Sequence, residues 1–440
     1  MSTDVSTLSV ENDTPVASPA PTTANRPLWQ LFAGAALVIA ALYVWGGWAL
    51  PVVVVSIIVM VMFHELGHFA TAKWTGMRAT EFFVGFGPKL WSKQIGDTEF
   101  GIKGIVLGGY VRIIGMTSME EVADVDEPRS FRQATFPRRV LVASAGSLMH
   151  LLMALVLAWC SLVFVGQIAG EHAQVGAFTP WEGHALNAAQ IAGLRVGDTI
   201  TSLDGVAITS LDQFDRIIAR SSDVTLPLVV DRDGHSVSLS VTPRDGHTIT
   251  IVGQKEPLVA ADQPAHGYIG ISASGQSFYS GVPALAAIPK SFSLLWSTLV
   301  STVNYITHIF TPSGIGSLAH QVTNNQAASD PQNQLSRPTS IIGAANIADQ
   351  LAAVNPANLF VVFMALNLSV GVLNMLPMLP LDGGHVAIAV YERLRSRRGR
   401  PAYHADAAKL LPVIYGFVFV LFMIFASTIY LDITHPVSLP

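Results

Sequence analysis

The sequence predicts a polytopic α-helical membrane protein of about five transmembrane helices, with a membrane-associated β-hairpin and one strand-rich domain outside the membrane. Three observations predict it. Hydrophobic residues make up 50% of the 440-residue chain and charged residues only 12%, whereas globular domains carry about a quarter charged residues. Several apolar runs reach the roughly 20 residues a helix needs to cross a bilayer. One such run holds His64-Glu65-Leu66-Gly67-His68, three polar side chains that are costly at membrane depth and normally mark function there.

The charge balance and the cysteine count exclude other classes. A net charge of −5 offers no basic surface for nucleic acid. A single cysteine, Cys160, rules out an intrachain disulfide and a cysteine-based zinc site. It lies in an apolar run and reads as a small hydrophobe.

Residues 1–27 are rich in Ser, Thr, Pro and acidic residues, with no basic residue before Arg26. That composition predicts a disordered cytoplasmic tail rather than a secretory signal. The N-terminal membrane part follows at 28–170. Its first apolar stretch, 31–63, is too long for one crossing at about 1.5 Å per residue. Gly46-Gly47-Trp48-Ala49-Leu50-Pro51 divides it into spans at 30–47 and 51–72, the proline suiting a helix start. Further spans read at 140–167, 357–379 and 410–431.

Basic residues collect on the cytoplasmic side of a membrane. Arg26 precedes the first span; Lys73, Arg78, Lys89, Lys93, Arg112, Arg138 and Arg139 lie between the second and third. Arg393, Arg395, Arg397, Arg398 and Arg400 lie between the fourth and fifth. Five crossings put all three clusters in the cytoplasm and residues 172–340 outside.

Between the second and third spans, segments 81–88 and 99–114 alternate glycines with β-branched and aromatic residues, a pattern of strands and turns. Such a hairpin either dips into the membrane where protein or a wet cavity covers its backbone, or lies in the cytosol. Segment 172–275 has the composition of a soluble domain. Ala192-Gly193-Leu194-Arg195-Val196-Gly197-Asp198-Thr199-Ile200 and Asp204-Gly205-Val206-Ala207-Ile208 are followed by a helical pattern and two strands joined at Arg232-Asp233-Gly234. The series resembles a PDZ domain, in which a peptide adds as a strand along a groove; a small β-domain without a groove is the alternative. Segment 276–356 reads as a helix lying on the membrane, interrupted by Pro283, Pro289 and Lys290, and then a Gln-, Asn- and Ser-rich mobile connector over 311–340. The C-terminal membrane part is 357–440.

On a helix, His64 and His68 lie one turn apart on the same face. That spacing lets two imidazoles hold one Zn²⁺ while Glu65 handles the proton of an activated water. A catalytic zinc usually takes a third protein ligand. In the fourth span, Pro377 and Pro380 interrupt the helix, and Asp382, the sole carboxylate of that apolar segment, precedes Gly383-Gly384. Asp382 could meet both histidines inside the bilayer; Glu81 and Glu99 on the hairpin are the alternatives.

The chain resembles the site-2 protease family of intramembrane zinc metalloproteases, in its bacterial regulator-of-sigma-E protease branch. The resemblance covers nearly everything after the first span. It rests on His64-Glu65-Leu66-Gly67-His68, on Phe82-Phe83-Val84-Gly85-Phe86-Gly87-Pro88-Lys89-Leu90-Trp91, on Leu107-Gly108-Gly109-Tyr110-Val111, on the PDZ-like insertion, and on Asn374-Met375-Leu376-Pro377-Met378-Leu379-Pro380-Leu381-Asp382-Gly383-Gly384-His385. It implies that His64, His68 and Asp382 bind Zn²⁺, that Glu65 is the catalytic base, and that Asn374 positions the substrate backbone or stabilises the oxyanion. It further implies regulated intramembrane proteolysis of single-span membrane proteins, of the anti-sigma-factor or signal-peptide-remnant type, in a bacterial plasma membrane, with a peptide ligand for the PDZ domain. The chain departs from the branch in having room for one PDZ domain rather than two and in its extra first span. It also carries Arg337-Pro338-Thr339-Ser340-Ile341 where the family has a Gly-Pro-Val-type segment. A membrane metalloprotease cutting soluble peptides, or a catalytically silent PDZ scaffold, are the competing classes.

Overall fold

The computed structural model describes residues 27–116, 122–396, 405 and 407–439. The tail before Pro27 and the arginines at 397, 398 and 400 lie outside the described residues. The chain divides into two compact units, one formed by residues 1–155 and 295–440, the other by 156–294.

The first unit opens with α1 (Leu28–Gly46) and α2 (Ala49–Thr75), separated at Gly47, whose φ of 69° is in the range that favours glycine. The long α2 ends at Gly76 in the left-handed conformation, with Lys73 in its last turn, where a cation suits the helix dipole. Next come β1 (Ala79–Ile95) and β2 (Thr98–Ile113), longer than the short strands expected from sequence, and turning at Gly96. The hairpin folds back on itself. Phe82 pairs with both Val111 and Phe100, Phe83 with Tyr110 and Gly101, and Val84 with Gly109 and Ile102. The first half of β1 is therefore flanked on both sides, and segment 109–113 forms an outer edge. Ala79, Ile113, Phe131, Val142 and Ala143 bury together against Ala72 and Met77, fixing the hairpin to α2 and to α3 (Phe136–Phe164).

In the second unit, β3 (Gln167–Phe178), α4 (Ala188–Ile191), β4 (Thr199–Leu203), β5 (Val206–Ala207), α5 (Leu211–Arg220), β6 (Leu226–Arg232) and β7 (His235–Val241) are followed by β8 (Arg244–Asp245), β9 (Gly267–Tyr268) and β10 (Ile271–Ser280). The main sheet runs β10-β3-β4-β6-β7, with β5 on β4. Ile200, Leu203, Ile208, Leu228 and Val230 are fully buried in its core with Phe214 and Ile218 of α5. The turn motif read from sequence has a structural purpose. Asp198 accepts from the Arg195 N–H at 2.8 Å and from Arg232 at 2.8 and 2.7 Å, clamping the turn before β4 onto the end of β6. A groove of about 600 Å³ runs between Leu211, Phe214 and Ile218 of α5 and the segment from Gly267 to Ile271.

The remaining elements are α6 (Ala284–Ile309), α7 (Pro312–Thr323), α8 (Asn325–Ser329), α9 (Pro331–Ser336), α10 (Ile341–Val354), α11 (Leu359–Asn374), α12 (Asp382–Arg395) and α13 (Leu411–Thr434). One sequence expectation is corrected here. The 311–340 connector is helical rather than a mobile coil, because Thr311, Asn324, Asp330 and Ser340 each accept from backbone N–H groups as N-caps of the helices that follow them. Six described helices are long and apolar enough to cross a membrane, one more than the five spans read from the sequence. The sixth is α6, which runs unbroken through Pro289. The fourth span does break as its prolines require, α11 ending at Asn374 and α12 starting at Asp382.

Arg337, at the departure from the family pattern, is wholly buried in an ion pair with Asp432 of α13 at 3.0 Å. Asp432 also accepts from the Ser340 N–H at 2.7 Å. The segment thus anchors the small helices to the last helix. Ala344, Ala345 and Ala348 of α10 bury against Ala49, Leu50 and Val53 of α2, and Val362 of α11 joins them.

Candidate metal centre

The centre is assembled from α2 and α12 and shaped by α3. His64 Nε2 and His68 Nε2 are 3.2 Å apart, and Asp382 Oδ2 lies 3.4 Å from the first and 3.2 Å from the second. Both histidines are buried. Among the described residues these three form the group able to hold a metal ion. The triangle fits zinc: ligand atoms about 2.0–2.2 Å from a tetrahedral ion stand about 3.3–3.6 Å from one another.

The donor chemistry fits as well. His68 Nδ1 lies 2.7 Å from the Val142 carbonyl, which can only accept, so Nδ1 carries the proton and Nε2 presents a lone pair. That lone pair faces a carboxylate oxygen, Asp382 Oδ2, which has no hydrogen-bond partner. Acceptors converging on one point in a buried site suit a cation between them.

Glycines allow the helices to come this close. A Cβ on Gly146 of α3 would lie 2.3 Å from His64 Cε1 and 2.4 Å from His68 Nε2, and one on Gly67 of α2 would meet the Ala145 carbonyl at 2.7 Å. Gly383 and Gly384 do the same for the first turn of α12, where added Cβ atoms would fall 2.2 Å from the Met375 carbonyl and 2.5 Å from the Leu379 nitrogen. The same helix is tied to α3 by a buried ion pair, Arg139 to Glu392 at 2.7 Å.

Glu65 lies beside the hairpin edge, its Oε2 accepting the Val111 N–H at 2.8 Å. One carboxylate oxygen is thereby fixed by backbone. Asn374 stands half-buried at the end of α11, eight positions before Asp382 in the chain. Glu81 and Glu99, the alternative third ligands, are engaged within the hairpin. Glu81 accepts from Tyr110 and pairs with Arg112, while Glu99 pairs with Lys89 at 2.7 Å. The hydrogen bond from Lys89 holds the Glu99 carboxyl below its usual range.

Sequence reasoning missed Gly146, Val111 and Val142, whose contributions are an absent Cβ or a backbone group, and the buried pair His150 and Asn367. His150 alone carried a signal, as a histidine in an apolar span.

A buried two-histidine, one-carboxylate centre on membrane-type helices, with a glutamate between the histidines, defines a zinc metalloprotease site set in a membrane scaffold. Comparison with known proteins agrees. Residues 52–421 match the model of Peptidase family M50, and the chain belongs to that family, the site-2 proteases. It is 32% identical over 407 residues to the zinc metalloprotease Rip1 of Mycobacterium tuberculosis, covering 87% of this chain and 96% of that one. Rip1 of Mycolicibacterium smegmatis is 30% identical over 412 residues, covering 87% and 97%. The metalloprotease MmpA of Caulobacter vibrioides is 26% identical over 395 residues, covering 83% and 91%. The chain is thus a zinc-dependent metalloendopeptidase and a multi-pass protein of a bacterial membrane.

Proposed function

We propose that this enzyme hydrolyses peptide bonds within the membrane, in single-span proteins of the anti-sigma-factor or signal-peptide-remnant type. The observation that carries this reading is the placement of His64, His68 and Asp382 on apolar helices long enough, or close enough to such helices, to lie at membrane depth. We assign these three as the zinc ligands. Zinc held there supplies a Lewis acid and lowers the pKa of water from about 16 toward about 7. Glu65 takes a proton from the attacking water and delivers it to the leaving nitrogen. Its Oε2, engaged by Val111, leaves Oε1 to receive that proton. Asn374, at the break between α11 and α12, holds the substrate backbone.

A helical substrate hides its carbonyls in its own hydrogen bonds, so it must be extended before it can be cut. The outer edge at 109–113 adds the substrate as a strand beside Glu65. The second unit reads as a PDZ domain: β10 is one of the two edge strands of its sheet, and the groove beside α5 suits a peptide added along that edge. Its Gly270, at φ of 81°, turns the chain into β10 where the peptide terminus would lie. Five crossings, with α6 on the outer surface, keep the basic clusters cytoplasmic and the PDZ domain outside, where it screens substrates already shortened there. Of the six candidate spans α6 is the least apolar, and it carries Lys290 and several Ser and Thr residues, which favours that surface position.

Co-expression with single-span proteins tests the reading. Fragments identified by mass should end inside the span with the wild-type enzyme and be absent with Glu65→Gln. Cuts confined to soluble segments would contradict it.

A further inference from the structure

His150 of α3 is almost wholly buried, 1% exposed, and its ring centroid is 5.0 Å from that of His64, close to the 4.8 Å between His64 and His68. Its protonation is fixed by neighbours. Asn367 Nδ2 donates to the Phe363 carbonyl at 2.8 Å, so the other amide atom, Oδ1, is the one facing His150 Nδ1 at 3.2 Å. Only an Nδ1–H satisfies that contact, and the neutral ring then presents Nε2 as a bare lone pair. His150 Nε2 is buried and has no hydrogen-bond partner. Space for the ring is preserved by Gly371 of α11, where a Cβ would meet His150 Cβ at 2.8 Å. The ring stands outside the ligand triangle of His64, His68 and Asp382 and packs against the His64 ring.

We propose that His150 is a further catalytic residue, accepting a hydrogen bond from the attacking water through Nε2. The inference rests on the proposed zinc-dependent hydrolysis. Water brings two hydrogens and needs two acceptors in this dry site. Glu65 takes one as a proton and passes it to the leaving nitrogen as the C–N bond breaks. His150 holds the other, which stays on the oxygen that joins the carbonyl carbon until the product acid ionises. With both hydrogens held, the oxygen lone pair points at the carbonyl.

Two isosteric substitutions separate this role from simple packing. His150→Asn keeps an amide N–H where Nδ1 was and so retains the Asn367 contact, but it has nothing at the Nε2 position. His150→Gln places an amide atom near the Nε2 position. With reconstituted protein and a single-span reporter, His150→Asn should lose about 10- to 100-fold in kcat with KM within about twofold. Its zinc affinity in chelator competition should fall about tenfold. His150→Gln should recover most of both. Wild-type kcat and zinc affinity in His150→Asn, or equal impairment of the two variants, would overturn the proposal. If His150→Asn does not accumulate, Asn367→Leu reads the same claim, since it leaves the ring but frees its tautomer: reduced kcat at constant KM supports it, and unchanged kcat overturns it. A wild-type protein that neither binds zinc nor cleaves would instead sink the functional reading itself.

Discussion

A Cβ at Gly146 would press on both metal-facing imidazoles at 2.3–2.5 Å, against a helix backbone that cannot retreat without moving α3. Gly146→Ala should therefore weaken zinc binding about 10- to 100-fold, the range for disturbing groups that orient ligands. Chelator competition on purified protein measures it, and unchanged affinity would mean that α2 and α3 separate freely. Asp198 gives a pH prediction. Burial works to raise its pKa, but the hydrogen bonds from Arg232 and the Arg195 N–H hold it below the usual carboxylate value. A depressed carboxyl contributes stability above its unfolded pKa, about 3.9, and that contribution is lost as pH falls through the lower folded value. Protease resistance of the second unit should thus weaken below about pH 4 in the wild type and show less of that acid dependence in Asp198→Asn. At this scale the sequence was legible in which side chains would meet: His64, His68 and Asp382 lie together as expected, with Glu65 beside the hairpin edge. It was silent where a backbone carbonyl or a missing Cβ does the work.

Strands, helices and breaks carry the next level. Proline removes a backbone donor, and its effect depends on which strand it strikes. Ile102 pairs with both Val84 and Trp91, so proline there should disrupt the whole sheet. Segment 109–113 lies at the edge, and proline placed there should include positions that reduce cleavage of helical spans while zinc content stays normal. Gly or Pro introduced into the substrate span should partly restore turnover. Wild-type cleavage by every folded edge variant would make the hairpin purely structural. The Arg139–Glu392 pair, with Glu392 5% exposed, locks α12 against α3. Glu392→Ala should cost about 3–5 kcal/mol, because it strands a buried guanidinium, and a lowered melting temperature in detergent measures it. Apolar runs and prolines made the long helices and the break before Asp382 readable in advance. The helices between 312 and 336 were not, since their composition is that of a loop and only the caps at Thr311, Asn324 and Asp330 reveal them.

For the molecule as a whole, orientation decides which side screens substrates and which side receives products. In a Cys160→Ser background, Ser221→Cys should label with an impermeant thiol reagent in intact cells, and Ser396→Cys only after lysis. The opposite pattern would invert the proposed topology, and labelling of both would indicate that α6 crosses the membrane. Zinc, Glu65 and the bilayer-depth position of the centre form a single claim, which one pair of measurements on one sample tests most directly. In Glu65→Gln reconstituted into vesicles, bound zinc should remain at the wild-type level while cleavage of a single-span reporter falls about 10²- to 10⁴-fold, the contribution of a positioned proton acceptor. Normal turnover by zinc-loaded Glu65→Gln would contradict the account.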